Sequence, residues 1–322
     1  MIDTKLVLIE GLPGSGKSTT AQFISRCLSQ SGIKNKWWYE EEKGHPVYLF
    51  NSEESMQQTI DNLTKGNYEI IIKKALEQWR VFSDSLQNME EVVIVDSTFF
   101  GYLTWTLFPM NAPIEDIEKY LLEVEAIIRP CRPILIYFYQ SDLYTSLKKI
   151  CERRGGNTAE QFIQNANQSK YGKKRNLTGF DGMLSFWKDY RNFTDNMFAK
   201  ISTRKLSIEN SEGRWNEYLQ QIVNFFEITI NEKMNTPSIE IDHFVGIYNN
   251  DETTCEIYRN GDVLYIDGIQ QIWPNSKLLP REGNKFEVES LPINITFDLN
   301  KLFITGPQLF DGKVEKMLMK QD

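Results

Sequence analysis

The chain has 322 residues, 41% of them hydrophobic and 25% charged, with a formal net charge of −8; that length suggests two domains, or one large domain with an appendage. The composition excludes collagen and wholesale disorder, and no apolar stretch approaches the ~20 residues a membrane helix needs. The acidic balance disfavours a dedicated nucleic-acid binder, so neither nucleic acid nor membrane is an expected partner. Four cysteines (Cys27, Cys131, Cys151, Cys255) lie far apart without a CxxC pair, which argues against a disulfide scaffold or a zinc site and for reduced thiols in the cytoplasm. The first residues lack the long apolar region of a secretory signal, so a secreted precursor is not expected. With two histidines only, His45 and His243, an oxygen-bound magnesium is the expected metal.

In chain order, KLVLIE (5–10) reads as a buried strand, and Ala21, Ile24, Cys27 and Leu28 repeat at helical spacing over 18–28. Further short apolar runs follow at 92–95 (VVIV) and 134–138 (ILIYF), separated by helical segments at 69–88 and 114–129. A strand over 204–210 then precedes a helix over 214–227. Strands alternating with helices predict an α/β domain with a doubly wound parallel sheet over residues 1–234. At Asn235-Thr-Pro-Ser238 helical periodicity stops, and short strands are expected around 241–248, 253–259, 262–267, 269–273, 285–289, 293–298, 301–305 and 313–319, with Asn260-Gly261 as a hairpin turn. Residues 235–322 therefore read as a smaller antiparallel β-barrel or sandwich domain, in which 14 acidic residues oppose 8 basic ones.

Between the first strand and the first helix stands Gly11-Leu-Pro13-Gly14-Ser15-Gly16-Lys17-Ser18-Thr19, which fits G-x-x-x-x-G-K-[ST]. In this pattern backbone N–H groups wrap phosphates at a helix N-terminus, the lysine reaches the β- and γ-phosphates, and the hydroxyl after it ligates magnesium. ATP with magnesium is the expected cofactor pair; Thr19 can add a contact to the α-phosphate. Asp96 ends an apolar strand, which puts a carboxylate at the carboxyl edge of the sheet, where it could hold magnesium through water or contact an acceptor. There is no guanine-reading NKxD in the first domain and no transporter-type LSGGQ, which disfavours a GTPase switch or a transport motor.

GLPGSGKS, VVIVDSTFF (92–100) and the basic stretch LKKICERRGG (147–156) together resemble the P-loop kinase-type NTPases, a group holding nucleoside and thymidylate kinase-like enzymes and P-loop antibiotic phosphotransferases. The resemblance spans about residues 1–230, but Ser97 stands where those nucleotide kinases often carry an arginine. It implies an acidic base after the second strand, for which Glu40, Glu41 and Glu42 all qualify, with Glu41 slightly favoured. It implies lid arginines over the donor phosphates, here Arg153 and Arg154, with Gly155-Gly156 as hinge and Lys173, Lys174 and Arg175 following. It also puts adenine near 211–215, and an acceptor pocket among Trp37, Trp38, Tyr39, Trp79, Phe99, Phe100, Tyr102 and Trp105, rings that equally suit a core. His45 could touch substrate or be structural. HFVGIYNN (243–250) with NGDVLYIDG (260–268) loosely resembles the small barrel-like C-terminal domain of beta-lactamase-related serine hydrolases; Ser146-Leu-Lys-Lys149 mimics their S-x-x-K by chance. The function expected is phosphoryl transfer from ATP to a small-molecule hydroxyl or phosphate, with a homodimer open. An ATP-binding regulatory protein and a plain NTP hydrolase are the alternatives.

Overall fold

The computed structural model describes residues 3–50, 52–154, 156–228 and 241–321. Five strands, β1 (Leu6–Gly11), β2 (Asn35–Trp38), β3 (Val92–Asp96), β4 (Ile134–Tyr139) and β5 (Arg204–Glu209), form one sheet in the order β2-β3-β1-β4-β5. Every pairing is parallel, with Ile9 opposite Asp96 and Glu10 opposite Tyr137. Because both faces of such a sheet are covered, its central strands read as unbroken apolar runs rather than alternating ones. Period-two geometry sends Leu6, Leu8, Val93, Val95, Leu135 and Tyr137 into one large cluster. Val7, Ile9, Ile94, Ile136 and Phe138 are buried on the opposite face.

The helices are α1 (Lys17–Gln30), α2 (Glu53–Lys65), α3 (Tyr68–Gln87), α4 (Leu103–Leu107), α5 (Ile114–Ile128), α6 (Leu143–Arg154), α7 (Gly156–Gln168), α8 (Lys170–Lys174), α9 (Gly179–Lys200) and α10 (Trp215–Phe226). Sequence periodicity finds α1, α3, α5 and α10 but not α2, whose surface is mostly polar. What fixes α2 is capping: Ser52 and Ser55 satisfy each other's N-terminal amides, and Gly66 closes the last turn in the left-handed region at φ 78°. On α3, Ile71, Ala75, Leu76, Trp79, Phe82 and Leu86 are buried at three- and four-residue spacing, and the Trp79 indole donates to the Tyr120 hydroxyl of α5 at 2.9 Å. The basic stretch expected to act as a lid is built of three helices, α6 to α8.

Eight further strands close an antiparallel barrel: β6 (Gly246–Asn249), β7 (Thr254–Asn260), β8 (Val263–Asp267), β9 (Ser276–Pro280), β10 (Lys285–Val288), β11 (Asn294–Asp298), β12 (Lys301–Thr305) and β15 (Lys316–Lys320), with the small hairpin β13 (Gln308–Leu309) and β14 (Gly312–Lys313) beside them. The strand order is β10-β11-β12-β15-β6-β7-β8-β9, so the barrel reading holds and the sandwich does not. One expected strand, 269–273, is absent. Ile269 and Ile272 are buried, but in a turn closed by the Ile272 N–H on the Ile269 carbonyl at 3.0 Å. Strand β9, with serine and proline at its ends, takes its place in the barrel.

Close packing divides the chain into two units. The first holds Met1–Lys17, Ser31–Glu40 and Gly44–Thr229; the second holds Ser18–Gln30, Glu41–Lys43 and Ile230–Asp322. Most of α1 therefore belongs with the barrel by its contacts. The Gln22 amide donates to the Val288 and Leu291 carbonyls at 2.9 and 3.3 Å and accepts from the Ser290 N–H at 2.9 Å, while Arg26 pairs with Glu287 at 3.0 Å. The boundary expected near residue 235 lies outside the described residues.

The Trp79–Tyr120 pair anchors α3 to α5 inside the main cluster. Trp79→Phe should cost about 3 kcal/mol, because it opens a cavity and leaves the Tyr120 hydroxyl buried without its donor. A urea unfolding curve with an unchanged midpoint would refute this.

Candidate functional site

Leaving β1, the chain turns through Gly11–Gly16 and enters α1 at Lys17. The loop is enclosed so tightly that a side chain has no room at its glycines. A Cβ on Gly11 would lie 2.7 Å from both the Phe138 carbonyl oxygen and Ser15 Oγ, one on Gly14 2.8 Å from Ile150, and one on Gly16 1.9 Å from the Trp215 ring. Positive φ values at Gly14 (72°) and Gly16 (84°) make the same demand on the backbone. Ser15 is fully buried, with its N–H on the Leu12 carbonyl at 3.2 Å and its hydroxyl without a partner among the described residues.

Two residues of the segment after β5 hold this loop, and sequence reasoning named neither as a site residue. Asn210 donates from its amide to the Ser15 carbonyl at 2.6 Å and accepts from Gln140 at 2.5 Å; Trp215, first residue of α10, lies over Gly16. Trp215 falls within the 211–215 segment expected near adenine, so its position was available and its packing was not. Arg153 is exposed on α6, and its Nη2 stands 4.0 Å from where a Cβ on Gly14 would be. The structure thus brings one of the two expected lid arginines to the phosphate loop. The Arg154 side chain and Gly155 lie outside the described residues.

Lys17 is only 9% accessible; its ammonium donates to the Leu12 carbonyl at 3.1 Å. A lysine at a tight loop end folds back on the nearest carbonyl, which satisfies one of its three donors. Ser18 and Thr19 follow on α1, and the Thr19 hydroxyl lies 2.7 Å from that of Ser290.

Asp96 is completely buried at the carboxyl end of β3, and its Oδ1 accepts from the Trp37 indole at 3.1 Å. The backbone then turns sharply, with Ser97 in the left-handed region at φ 54°. Opposite-facing Glu10 supports that turn: its Oε1 accepts from the N–H groups of Thr98 at 2.8 Å and Phe99 at 2.6 Å, while its Oε2 is buried without a partner among the described residues. Burial pushes the Glu10 carboxyl up to about 7, against the N–H bonds from Phe99 and Thr98 and the Lys17 charge, which pull it down. Glu10 was passed over in sequence because it closes an apolar run; the available signal was a carboxylate in core-facing register with Leu6 and Leu8.

The glutamate turn divides. The Glu40 carbonyl accepts from the Tyr48 hydroxyl at 3.0 Å. Glu41 is exposed on the three-residue segment grouped with the second unit, where its carbonyl accepts from the Phe310 N–H at 3.1 Å. Glu42 is buried and bridges to Leu309. Among the expected pocket rings Tyr39, Trp79, Phe99, Phe100 and Tyr102 are buried core, while Trp37, Trp38 and Trp105 are partly accessible. His45 is structural. It is inaccessible, stacks on Tyr48 at 4.0 Å, and Tyr48 stacks on Tyr102 at 4.3 Å. Burial, and then the Lys36 charge, push its imidazole down to about 3.

Magnesium fits the donors present. No group of three or more His, Cys, Asp or Glu among the described residues could hold a metal alone, but this ion takes one or two protein oxygens and completes its shell with water and substrate phosphate. Asp96 supplies such an oxygen beside the loop that follows Ile9.

Residues 5–101 match the family described as chromatin associated protein KTI12, a span running from β1 through the phosphate loop to the turn after Asp96. No curated protein matches the chain. Among solved structures it is similar to thymidylate kinase from Ehrlichia chaffeensis (12% identity, 70% of this chain and 99% of that one, TM-score 0.38). It is also similar to the YorR protein of Bacillus subtilis, solved with phosphorylated GDP (16%, 69% and 95%, 0.38), and to shikimate kinase from Acinetobacter baumannii, solved with shikimate (11%, 70% and 93%, 0.35). The P-loop architecture rests on the parallel sheet and the geometry of the loop.

Both His45 ring nitrogens are buried without partners among the described residues, so His45→Phe should keep the ring stack and stabilise the protein by about 1 kcal/mol at pH 7. It should also change the acid limb. The unfolded chain takes a proton near pH 6.5 and the folded one near 3, so wild type loses stability as pH falls through that window, and the variant should lose less. Identical pH–stability curves would return His45 to an accessible, titrating role.

Proposed function

We propose that the protein is an ATP- and magnesium-dependent phosphotransferase acting on a hydroxyl or phosphate of a small molecule. The observation that carries this reading is the phosphate loop, closed so tightly that only glycine fits and bordered by the Lys17 ammonium and the Arg153 guanidinium. Loop N–H groups would hold the β- and γ-phosphates, with Lys17 moving from the Leu12 carbonyl to the γ-phosphoryl oxygens. Ser18 and Asp96 would hold magnesium, which supplies charge neutralisation along the phosphates. The acceptor oxygen would attack the γ-phosphorus, the bond to the β,γ-bridging oxygen would break, and ADP would leave. A carboxylate would take the acceptor proton; Glu41 remains the favoured base, with Glu40, Glu42 and Asp96 as its rivals. Arg153, with Arg154, would offset charge on the transferring group, and Thr19 would border the α-phosphate.

No helix among the described residues is long and apolar enough to cross a membrane; we place the activity in the cytoplasm, with a homodimer as the assembly to test. The KTI12 match, described by chromatin association, favours a second reading as an ATP-binding regulatory protein with the barrel as output. Adding a metabolite panel to purified protein with ATP and magnesium separates the readings. A kinase makes ADP only when its acceptor is present, a hydrolase makes it with water, and a regulatory protein binds ATP with little turnover.

Lys17→Ala should lower turnover about 100- to 1,000-fold, the scale for removing one stabiliser of transition-state charge, while circular dichroism stays native. Wild-type turnover and nucleotide affinity would refute the phosphate-cradle assignment. Arg153→Ala should lower kcat more than it weakens ATP binding, since its contact strengthens as charge shifts. An unchanged kcat would make Arg153 an ordinary solvated side chain.

A further inference from the structure

The feature least explained by packing is Glu10. It is a carboxylate with zero accessibility that stands immediately before the phosphate loop on the face of the sheet opposite Asp96, since Asp96 pairs with Ile9. One oxygen holds the backbone of Thr98 and Phe99; the other has no partner among the described residues. The same turn is held from α9, where the Tyr190 hydroxyl donates to the Phe100 carbonyl. A neutral amide could accept the two N–H bonds equally well, so a need to pin the turn does not account for an ionisable group.

We propose that Glu10 is a positioning residue of the nucleotide site that couples the phosphate loop to the turn after Asp96 and takes up a proton when a nucleoside triphosphate binds. This rests on the ATP-binding reading above and goes beyond it. The groups facing Glu10 decide the sign. From α1 comes the Lys17 charge, which favours the carboxylate. From the segment after β2, from β4 and from α9 come the phenols of Tyr48, Tyr137 and Tyr190, all pushed above their ordinary value by burial and therefore neutral. His45, behind Tyr48, also stays neutral near pH 7. Lys17 is thus the facing cation among these groups, and a triphosphate brings several negative charges to that same ammonium. With Lys17 engaged and like charge added nearby, the ionised form of Glu10 loses support and its proton affinity rises. Burial already holds the carboxyl at about 7, so the rise falls where it changes protonation. A neutral Glu10 still accepts through Oε1, so protonation at Oε2 leaves the turn held.

Calorimetric titration of the full chain with ATP and magnesium, near pH 7.5 in two buffers of different ionisation enthalpy, counts the protons exchanged. Wild type should take up a fraction of a proton more than Glu10→Gln. Its affinity should fall from about pH 7 upward, relative to that of the variant, by up to about tenfold for each unit by which the nucleotide raises Glu10. Equal proton exchange and parallel pH profiles in the two proteins overturn the coupling and leave nucleotide binding standing. If neither protein binds ATP, the reading beneath falls and this proposal with it. Should Glu10→Gln not fold, infrared difference spectra of wild type decide: a protonated-carboxyl band must grow when ATP and magnesium are added, and its absence overturns the proposal.

Discussion

The site depends on a steric constraint. Three segments approach one loop until hydrogen is the largest substituent its glycines can carry: the carbonyl of Phe138 at Gly11, the Ile150 side chain at Gly14 and the Trp215 ring at Gly16. Backbone amides can cradle phosphate only if their own chain is held open against collapse, and these neighbours hold it. Asn210 completes the frame by tying the Ser15 carbonyl to Gln140, so the ends of β4 and β5 carry the loop that β1 begins. Fold and site are therefore one construction, since the same strand ends that close the sheet shape the loop.

How much of this was legible in the sequence follows from how local each signal is. The phosphate loop declares itself in nine consecutive residues, and Asp96 through its place at the end of an apolar strand. Trp215 and Asn210 owe their roles to a chain separation of some two hundred residues, and no local pattern distinguishes them from a capping turn. Glu10 is intermediate. Its core-facing register is computable from Leu6 and Leu8, but its partners Thr98 and Phe99 become neighbours only when β1 pairs with β3. The barrel was legible as closely spaced strands, and it misled at 269–273 because burial alone does not distinguish a turn from a strand: Ile269 and Ile272 face inward from a bend.

The aromatic residues illustrate the opposite error, in which chemistry suggests a site and packing answers it. His45, Tyr48 and Tyr102 form a continuous stack, and two hydroxyls find backbone partners: Tyr48 donates to Glu40, and Tyr102 accepts from Leu49. Buried rings with satisfied polar tips build a rigid floor. That rigidity matters to the reading of Glu10, because a carboxylate in a soft environment would relax toward water, whereas one fully buried within electrostatic reach of Tyr48 and Tyr190 is left with the partners it has.

The sheet then explains why two carboxylates can serve one loop without sharing a pocket. Successive residues of a strand point to opposite faces and paired residues to the same one, so Asp96, paired with Ile9, lies on one side of the sheet and Glu10 on the other, with Lys17 at the start of α1 within electrostatic reach of Glu10. A core position normally excludes an ionisable group, because a buried charge costs more than a neutral hydrogen-bonding group that would do the same structural work. Sequences that break such a local rule tend to do so where function compensates. Here the break adjoins the phosphate loop, and the segment Glu10 holds begins one residue after Asp96. The cost of burying Glu10 is therefore concentrated where a change in charge is expected, and a position chosen for packing alone would have carried glutamine or leucine.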